Sequence, residues 1–392
     1  MTTFKTKLKV LTLSLVALTI YSSCSSDDDN STPTQPETTS YQITIMASPS
    51  EGGTVSPQSG QFDKNQQIVL TATPADGWEF IEWQGDVTST DNPLQITVDA
   101  TKTLTAVFES LPLFYLADNG VTIMAPLAEV GDTGVVNGIT YTKRTADQIT
   151  ADNAETSCTS GITDMSNLFF AESSFNGDIS HWDVSSVTNM SRMFYKATSF
   201  NGDLSHWDVS SVTNMSLLFY EAESFNKNLS NWNVTNVTNM EAMFRDANHF
   251  NQDISNWNVS NVTNMKSMFY NSYIGEDSMF NQDLNNWDVS QVTNMSYMFW
   301  NAKVFNGDLS NWDVNNVTNM SYMFNNAIVF NANLSNWNVS NVTDMSSMFN
   351  YASTFNQDLT GWCVSIIPSE PNNFASNSAL TNENKPVWGT CP

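Results

Sequence analysis

The sequence has few cysteines and few basic residues, and each shortage excludes a class of protein. Only four cysteines occur in 392 residues, and none lies in a Cys-x-x-Cys pair, so neither a disulfide-dense scaffold nor a zinc or redox motif of that type is present. Lys and Arg number 14 against 40 Asp and Glu, which gives a formal net charge of −26. Because a surface of that sign repels phosphate backbones, we expect no nucleic acid partner.

Motifs of catalysis are missing as well. The sequence contains no nucleophile elbow in a Ser/His/Asp order, no His-Glu-x-x-His, no phosphate-cradling Gly-rich loop and no Cys/His pair. We therefore expect a protein that is not an enzyme and that uses no cofactor. A glycan-cleaving enzyme stays open as an alternative, because parallel β-solenoid proteins with paired carboxylates can cleave polysaccharides.

A hydrophobic run long enough to span a bilayer is also lacking. The apolar run VLTLSLVALTI, Val10–Ile20, follows three lysines and precedes small polar residues, which is typical of an export signal over residues 1–23. Cys24 with the following SSDDD resembles the processing site of bacterial lipoproteins, and in the Bacteroidetes group such a signal directs the protein to the exterior of the outer membrane. The resemblance implies lipidation of Cys24 as the sole membrane attachment. An ordinary secretory signal is the alternative.

A polar tether and a small β domain follow the signal. Residues 24–40 hold no large apolar side chain and indicate a disordered tether. Residues 41–109 contain short alternating runs such as YQITIMA and QQIVLTATP, bounded by turn residues, which predicts antiparallel strands. The order GGTVSP…VLTATPADGWEFIEWQGD…LTAVF resembles the divergent internalin B-repeat module. Trp78, Phe80 and Trp83 are interpreted as core residues, with a carbohydrate platform as the alternative.

A sequence repeat of about 25 residues occurs eight times between residues 161 and 362. A typical copy reads FNGDLSHWDVSSVTNMSLLFYEAES, and one spacing of 30 instead of 25 marks an insertion, Tyr273–Asp277. Such a period indicates stacked units that bury their apolar edges against one another. The tryptophans that mark the units are Trp182, Trp207, Trp232, Trp257, Trp287, Trp312, Trp337 and Trp362.

The apolar spacing inside one copy predicts its local structure. Leu204, Trp207 and Val209 follow the L-x-x-L-x-L spacing of a leucine-rich-repeat strand, so we predict a strand at HWDVS with Trp207 and Val209 pointing inward. A short helical turn is then expected to carry Met215 and Phe219 inward.

One asparagine is the same in every copy. Its amide is predicted to bond to the turn backbone and to the neighbouring coils, which is a structural role. The equivalent positions are Asn176, Asn201, Asn226, Asn251, Asn281, Asn306, Asn331 and Asn356.

These residues carry a family resemblance. The pattern FNxDLSxWDVSxVTNMxxMFxxA is similar to BspA-type leucine-rich-repeat surface proteins, whose repeat was first catalogued as a domain of unknown function in mycoplasma lipoproteins. The resemblance implies an extracellular repeat protein, with adhesion as the role described in some members and no catalytic residues. We therefore predict a mainly β fold with short helical turns, forming a leucine-rich-repeat-like solenoid of about eight 25-residue coils behind a small all-β domain.

Both ends of the repeats are predicted to be capped. Residues 111–160 contain two hairpin patterns and would cover the first coil, because a solenoid must hide the apolar face of its terminal unit. Residues 363–392 depart from the repeat and would cover the last coil. In an exported chain, a Cys363–Cys391 disulfide would hold this tail in place. Cys158 has no evident partner.

The alternation of inward-facing and outward-facing side chains identifies a candidate binding surface. The residue between the inward Trp and Val, and the residue before each Trp, point outward and form two polar ladders that would suit a glycan, a basic protein segment or calcium. A merely solvated face is the alternative, and the two His-x-Asp pairs raise a further one, a transition-metal site. The candidate residues are His181, Asp183, His206, Asp208, Asn231, Asn233, Asn256, Asn258, Asn286, Asp288, Asn311, Asp313, Asn336 and Asn338.

The function expected from the sequence is that of a lipid-anchored cell-surface protein of the outer membrane. Its repeats would bind or adhere to an extracellular protein or glycan. A glycan-binding accessory protein of polysaccharide uptake is the nearest alternative, and a glycan-cleaving enzyme is the more distant one. The insertion Tyr273–Asp277 is a second candidate for the binding surface.

Overall fold

The chain forms two compact units, one ending at Ser110 and one beginning at Leu111. The computed structural model describes residues 39–272 and 278–392, so the signal, Cys24 and the insertion Tyr273–Asp277 lie outside the described residues. Within these ranges the fold is mainly β, with several small sheets and almost no helix. No helical segment there combines the length and the apolar character of a membrane span. The helical segments are single 3₁₀ turns at Ser50–Gly52, Ala146–Gln148, Ala154–Thr156 and Asn382–Asn384.

The first unit consists of two small sheets around one core. The four-stranded sheet has the order β3-β1-β7-β5 with β1 and β7 parallel, and the three-stranded sheet has the order β2-β4-β6. Alternating apolar residues such as Ile43 and Ile45 on β1 are buried, as the period of two predicts. The strands are β1 (Ser40–Ser48), β2 (Gly53–Ser56), β3 (Gly60–Asp63), β4 (Gln67–Pro74), β5 (Trp78–Gly85), β6 (Leu94–Thr97) and β7 (Lys102–Ser110).

The aromatic residues of this unit belong to its core. Trp83 is fully buried, and its indole N–H donates to the carbonyl oxygen of Asp91 at 3.1 Å. Trp78 and Phe80 are half-buried and pack against the same core. The interpretation of these three residues as core rather than carbohydrate platform is confirmed.

The second unit begins with the two predicted hairpins. Tyr115–Leu116 (β8) pairs with Ile123–Met124 (β9), and Thr133–Val136 (β10) pairs with Ile139–Lys143 (β11). Asn137 and Gly138 have φ angles of 53° and 82°, as the second turn requires.

A short third strand joins this lead-in to the repeats. Ser157–Cys158 (β12) runs parallel to the end of β11. The Cys158 side chain is buried in a small core with Phe114, Ile123 and Tyr141, and burial raises the pKa of its thiol. Cys158 is a free cysteine that packs as a small apolar residue.

The repeats stack as coils over one continuous core. The apolar positions predicted for a typical copy are all buried, and these are Phe200, Leu204, Trp207, Val209, Val212, Met215, Leu218 and Phe219. Equivalent rings lie face to face in successive coils, as Phe194 and Phe219 do with centroids 5.5 Å apart and planes 2° from parallel. The predicted inward set is therefore confirmed.

The segment that joins one coil to the next is not the one predicted. HWDVS is not a strand, because its backbone groups are used in tight turns within the coil: Trp207 N–H donates to Leu204 O and Val212 N–H to Val209 O. Successive coils are instead linked through the TNM segment, where single parallel β-bridges join residues such as Asn189 and Asn214. The strand prediction at HWDVS was wrong for this reason.

The predicted helical turn is also absent. Residues 190–200 form consecutive turns, in which Arg192 and Lys196 have φ angles of 56° and 59° that an α-helix cannot contain. Alternate N–H groups, such as those of Met190 and Phe194, donate to the next coil at 3.0 Å, whereas the N–H groups between them donate within their own coil. This arrangement satisfies the backbone both along and across the stack.

Two side-chain hydrogen-bond series reinforce the stack. The Oδ1 of each invariant asparagine accepts the N–H of its equivalent in the next coil, as Asn201 does from Asn226 at 3.0 Å, which confirms the structural role predicted for it. Seven repeat tryptophans donate their indole N–H to a carbonyl of the preceding coil, as Trp232 does to Leu204 O at 3.0 Å, and Trp182 donates to Ala154 O of the lead-in. The second series was not predicted.

The C-terminal tail continues the repeat rather than leaving its register. Ile367, Phe374 and Leu380 are buried at the positions expected of a ninth coil that lacks the tryptophan. The N–H of Phe349 donates to Phe374 O at 2.7 Å, as equivalent groups do between earlier coils. The Cys363–Cys391 disulfide is present and ties the end of the chain to the last tryptophan-bearing turn.

Candidate binding surface

Twelve of the fourteen predicted surface residues form one exposed series, here called the polar ladder. Around Trp207 and Val209 the predicted alternation holds, because both are buried while His206 and Asp208 are exposed. The same pattern recurs along the stack. The polar ladder consists of His206, Asp208, Asn231, Asn233, Asn256, Asn258, Asn286, Asp288, Asn311, Asp313, Asn336 and Asn338.

The other two predicted residues, His181 and Asp183, are buried beneath the lead-in. They are only 8% and 5% exposed. Ile123 N–H donates to His181 O at 2.8 Å, and the His181 ring lies 5.1 Å from that of Tyr141. Burial lowers the pKa of His181, so this imidazole stays neutral near pH 7. The prediction that His181 and Asp183 are exposed was wrong, because the lead-in packs over the face of the coil that carries them.

The transition-metal site formed by the two His-x-Asp pairs does not exist. The Nε2 of His181 is engaged with Ser157 O at 3.1 Å, and Asp183 Oδ1 accepts from the N–H and the hydroxyl of Ser185. Within residues 39–272 and 278–392, no three His, Cys, Asp or Glu residues form a group able to hold a metal ion. Calcium binding along the ladder stays a prediction.

The six Asp and Asn residues of the polar ladder that directly follow a repeat Trp have a local structural role. Asp208 Oδ1 accepts the N–H of Ser210 at 3.0 Å, and Asn233 Oδ1 accepts both the N–H and the hydroxyl of Thr235. These Asx turns hold the side chains in fixed orientations. One oxygen of each is therefore used within the protein, and the second carboxylate oxygen or the amide nitrogen remains for a ligand.

Two clefts lie along the polar ladder. One, of about 350 Å³, is lined by polar groups that include Asn311, Asp313, Asn336 and Asn338. A smaller one, of about 170 Å³, lies between the lead-in and the first coils beside His206 and Asp208. The first is open and polar and is lined by four ladder residues, which makes it the candidate ligand site on this face.

A column of stacked aromatic residues on the consecutive turns was not predicted. Phe170, Tyr195 and Tyr220 stack with centroids 4.7 and 4.4 Å apart, and Tyr270 stacks on Trp300 at 4.5 Å. Arg245 lies between Tyr220 and Tyr270, with its guanidinium carbon 5.2 Å from the centroid of the first ring and 4.0 Å from that of the second. These six residues, each directly after the second phenylalanine of a unit, are here called the aromatic column.

A shorter stripe of exposed aliphatic residues lies in the C-terminal coils. Met279, Val304 and Val329 are 51%, 38% and 40% exposed at one repeat position. The equivalent residues of two earlier coils are Ser199 and Ser224, so the backbone does not require an apolar side chain there. Exposed apolar patches are typical of interaction surfaces.

A further cleft, of about 380 Å³, lies where the lead-in meets the first coil. Lys143 and Arg144 line it, but both are used structurally. Lys143 Nζ donates to Ala125 O at 2.8 Å, and Arg144 donates to Thr156 O and to the Ser157 hydroxyl. These cations therefore fasten the lead-in rather than mark an anion site.

Comparison with known proteins bears on the two units separately. Residues 43–112 match the divergent InlB B-repeat domain, in agreement with the resemblance read from the sequence. No curated protein and no solved structure gives a significant match. The repeat region matches the family described as Mycoplasma protein of unknown function, DUF285, in three overlapping segments, 139–241, 205–275 and 271–388. Because these segments together span more than half of the chain, the protein belongs to the DUF285 family.

Proposed function

We propose that this protein is a lipid-anchored surface protein whose repeat stack binds an extracellular ligand. The observation that carries the proposal is the contrast between constant and variable positions. The coils repeat the same buried positions and backbone hydrogen bonds, while some outward positions vary, as at Ser224, His249 and Met279. A rigid stack of this kind provides a long surface on which side chains are preordered for binding.

The family assignment supports a surface role in coarse terms. A DUF285 repeat region follows an InlB B-repeat-like domain, a combination that suits a repeat protein displayed outside the cell. We further propose that the stack is a BspA-type, leucine-rich-repeat-like solenoid and that Cys24 carries the lipid. The anchor is tested by Cys24→Ser: the variant should be released from the outer membrane fraction. Retention of the variant there would refute lipid anchoring.

A glycan-binding accessory protein is the second candidate. The cleft lined by Asn311, Asp313, Asn336 and Asn338 favours it, because amide and carboxylate groups can pair with sugar hydroxyls, and Asx turns hold Asp313 and Asn338 in fixed orientations. A glycan-cleaving enzyme is the more distant candidate, and we propose that the protein is not an enzyme.

The proposal is tested by screening the full-length protein against arrays of glycans and of extracellular proteins, and then repeating the screen with Asp313→Ala/Asn338→Ala. Selective loss of glycan signals in the variant would support the polar ladder cleft. Binding to neither array by the wild-type protein would refute ligand binding, and turnover of an arrayed polysaccharide would establish the enzyme alternative.

A further inference from the structure

The aromatic column is not needed to build the coil. Asn325 and Asn350 occupy the same repeat position in the two coils before the ninth and keep the same turn, with N–H groups donating to Tyr322 O at 3.2 Å and to Ser347 O at 3.3 Å. Tyr195 makes the equivalent bond to Arg192 O at 3.2 Å. The backbone therefore accepts asparagine at this position, and the run of aromatic residues in the earlier coils has no local structural cause.

The composition of the column is that of an interaction surface. Tyr, Trp and Arg are the residue types that contribute most at protein interfaces, and here they are half-exposed on a surface otherwise rich in Asn, Ser and Thr. Stacking also holds each ring in place, as between Tyr195 and Tyr220, whose planes are 11° apart. Because their rotamers are already ordered, these side chains lose little entropy on binding.

The geometry of the rings distinguishes between ligand classes. A sugar packs the C–H groups of its ring against an exposed aromatic face, but the faces of Tyr195, Tyr220 and Tyr270 are covered by their neighbours in the column. Solvent meets the ring edges, which are the electropositive part of the aromatic quadrupole. Such edges complement the faces of other aromatic rings and carbonyl oxygens, both of which a protein segment supplies.

Charge further limits the partner. Two cations on the turns that carry the column are paired with acids, Lys196 with Glu221 at 3.4 Å and Arg245 with the adjacent Asp246 at 3.3 Å. The formal net charge of −26 repels an acidic ligand.

We propose that the aromatic column is a binding surface for an extracellular protein segment that carries aromatic side chains and no net negative charge. The segment lies along the stack axis and places its aromatic faces against the ring edges. The inference rests on the proposed function of ligand binding, and it assigns to that function a protein ligand and a surface distinct from the polar ladder.

The test uses a random dodecapeptide display library selected on the immobilised full-length protein. Peptides that bind are then titrated against Tyr220→Asn/Tyr270→Asn, which copies the residue found at this position in later coils. The control is Val135→Asn/Val387→Asn, which replaces two other exposed apolar residues by asparagine. Selected peptides should be rich in aromatic residues, and their affinity should fall at least tenfold in the column variant and stay unchanged in the control.

Several outcomes would overturn the inference in distinguishable ways. Peptides that keep wild-type affinity for the column variant would refute the assignment to the column while leaving ligand binding intact. Glycan binding that is lost in the column variant, with no peptide selected, would refute the protein ligand. A wild-type protein that binds no peptide and neither the glycan array nor the extracellular-protein array would refute the proposed function itself. Equal thermal unfolding midpoints for the control and wild-type proteins, with a folded column variant, make these comparisons valid.

Discussion

Substitution of one invariant asparagine should measure how strongly the side-chain hydrogen bonds hold successive coils together. Asn226 Oδ1 accepts the N–H of Asn251 at 3.0 Å and the side-chain amide of Gln252 at 2.8 Å. Asn226→Ala removes both bonds, and each intramolecular hydrogen bond contributes a net of about 0.5–1.5 kcal/mol. Asn226 is half-buried, so water replaces part of the loss. We expect a destabilisation of about 1–2 kcal/mol.

The assay is thermal unfolding followed by near-ultraviolet circular dichroism, which is sensitive to the stacked tryptophans of the repeats. For a unit of this size, which runs from Leu111 to Pro392, the expected loss lowers the midpoint by about 2–3 °C. Asn226→Asp is the matched variant, because its carboxylate still accepts both hydrogen bonds and should restore most of the stability. Asn231→Ala, in the same coil but exposed, controls for the general effect of losing an asparagine and should change the midpoint by less than about 1 °C.

The order of the unfolding midpoints of the three variants is the decisive result. If Asn226→Asp is as unstable as Asn226→Ala, the hydrogen bonds that the Asn226 side-chain oxygen accepts are not what stabilises the contact between the two coils. If Asn231→Ala destabilises as much as Asn226→Ala, the effect does not come from the bonds between coils.

Three further predictions concern the tryptophans, the first coil and the C-terminal end. Trp257→Phe removes the indole donor to Leu229 O and leaves a gap in the core, so it should cost roughly 2 kcal/mol in chemical denaturation, and an unchanged midpoint would contradict this. Because the folded-state pKa of His181 is lowered by burial, the unfolded chain binds the extra proton below about pH 6.5; stability should therefore fall between pH 7 and pH 5, and less so in His181→Asn. Reduction of the Cys363–Cys391 disulfide should destabilise the repeats by about 3–4 kcal/mol, measured by calorimetry with and without reductant; mass spectrometry showing two free thiols in the unreduced protein would refute the bond.

The buried set of the repeats could be predicted from the residues because it depends on short spacings. Trp207 and Val209 lie two apart, and an extended or turn-rich chain that buries one of them buries the other while exposing Asp208. The invariant asparagine was predictable for a similar reason, since a constant amide at one corner of each coil has constant neighbours above and below.

The path of the backbone was not predictable from the same spacings. L-x-x-W-x-V suits a strand as well as two tight turns, and the choice depends on which backbone groups find partners in the adjacent coil. Here those partners lie at Asn189 and its equivalents, whereas the groups around Trp207 bond within their own coil. Left-handed residues such as Arg192 and Lys196 carry no sequence signal, because neither residue type favours a positive φ.

Residues at the same repeat position can also have different surroundings in the structure. His181 and His206 stand at the same place in successive copies, yet the lead-in buries the first and leaves the second exposed. The aromatic column was missed because its members are 25 or 30 residues apart and each looks like an ordinary surface aromatic. The available signal was their common repeat position, directly after the second phenylalanine.

The repeat period, the residues of the core and the acidic surface were set by the sequence, because they depend on spacing and composition alone. The segment that bonds one coil to the next, the covering of His181, the ninth coil and the stacking of Tyr195 on Tyr220 were decided in the tertiary structure. Each of these requires groups distant in the chain to meet, and packing determines which of them do.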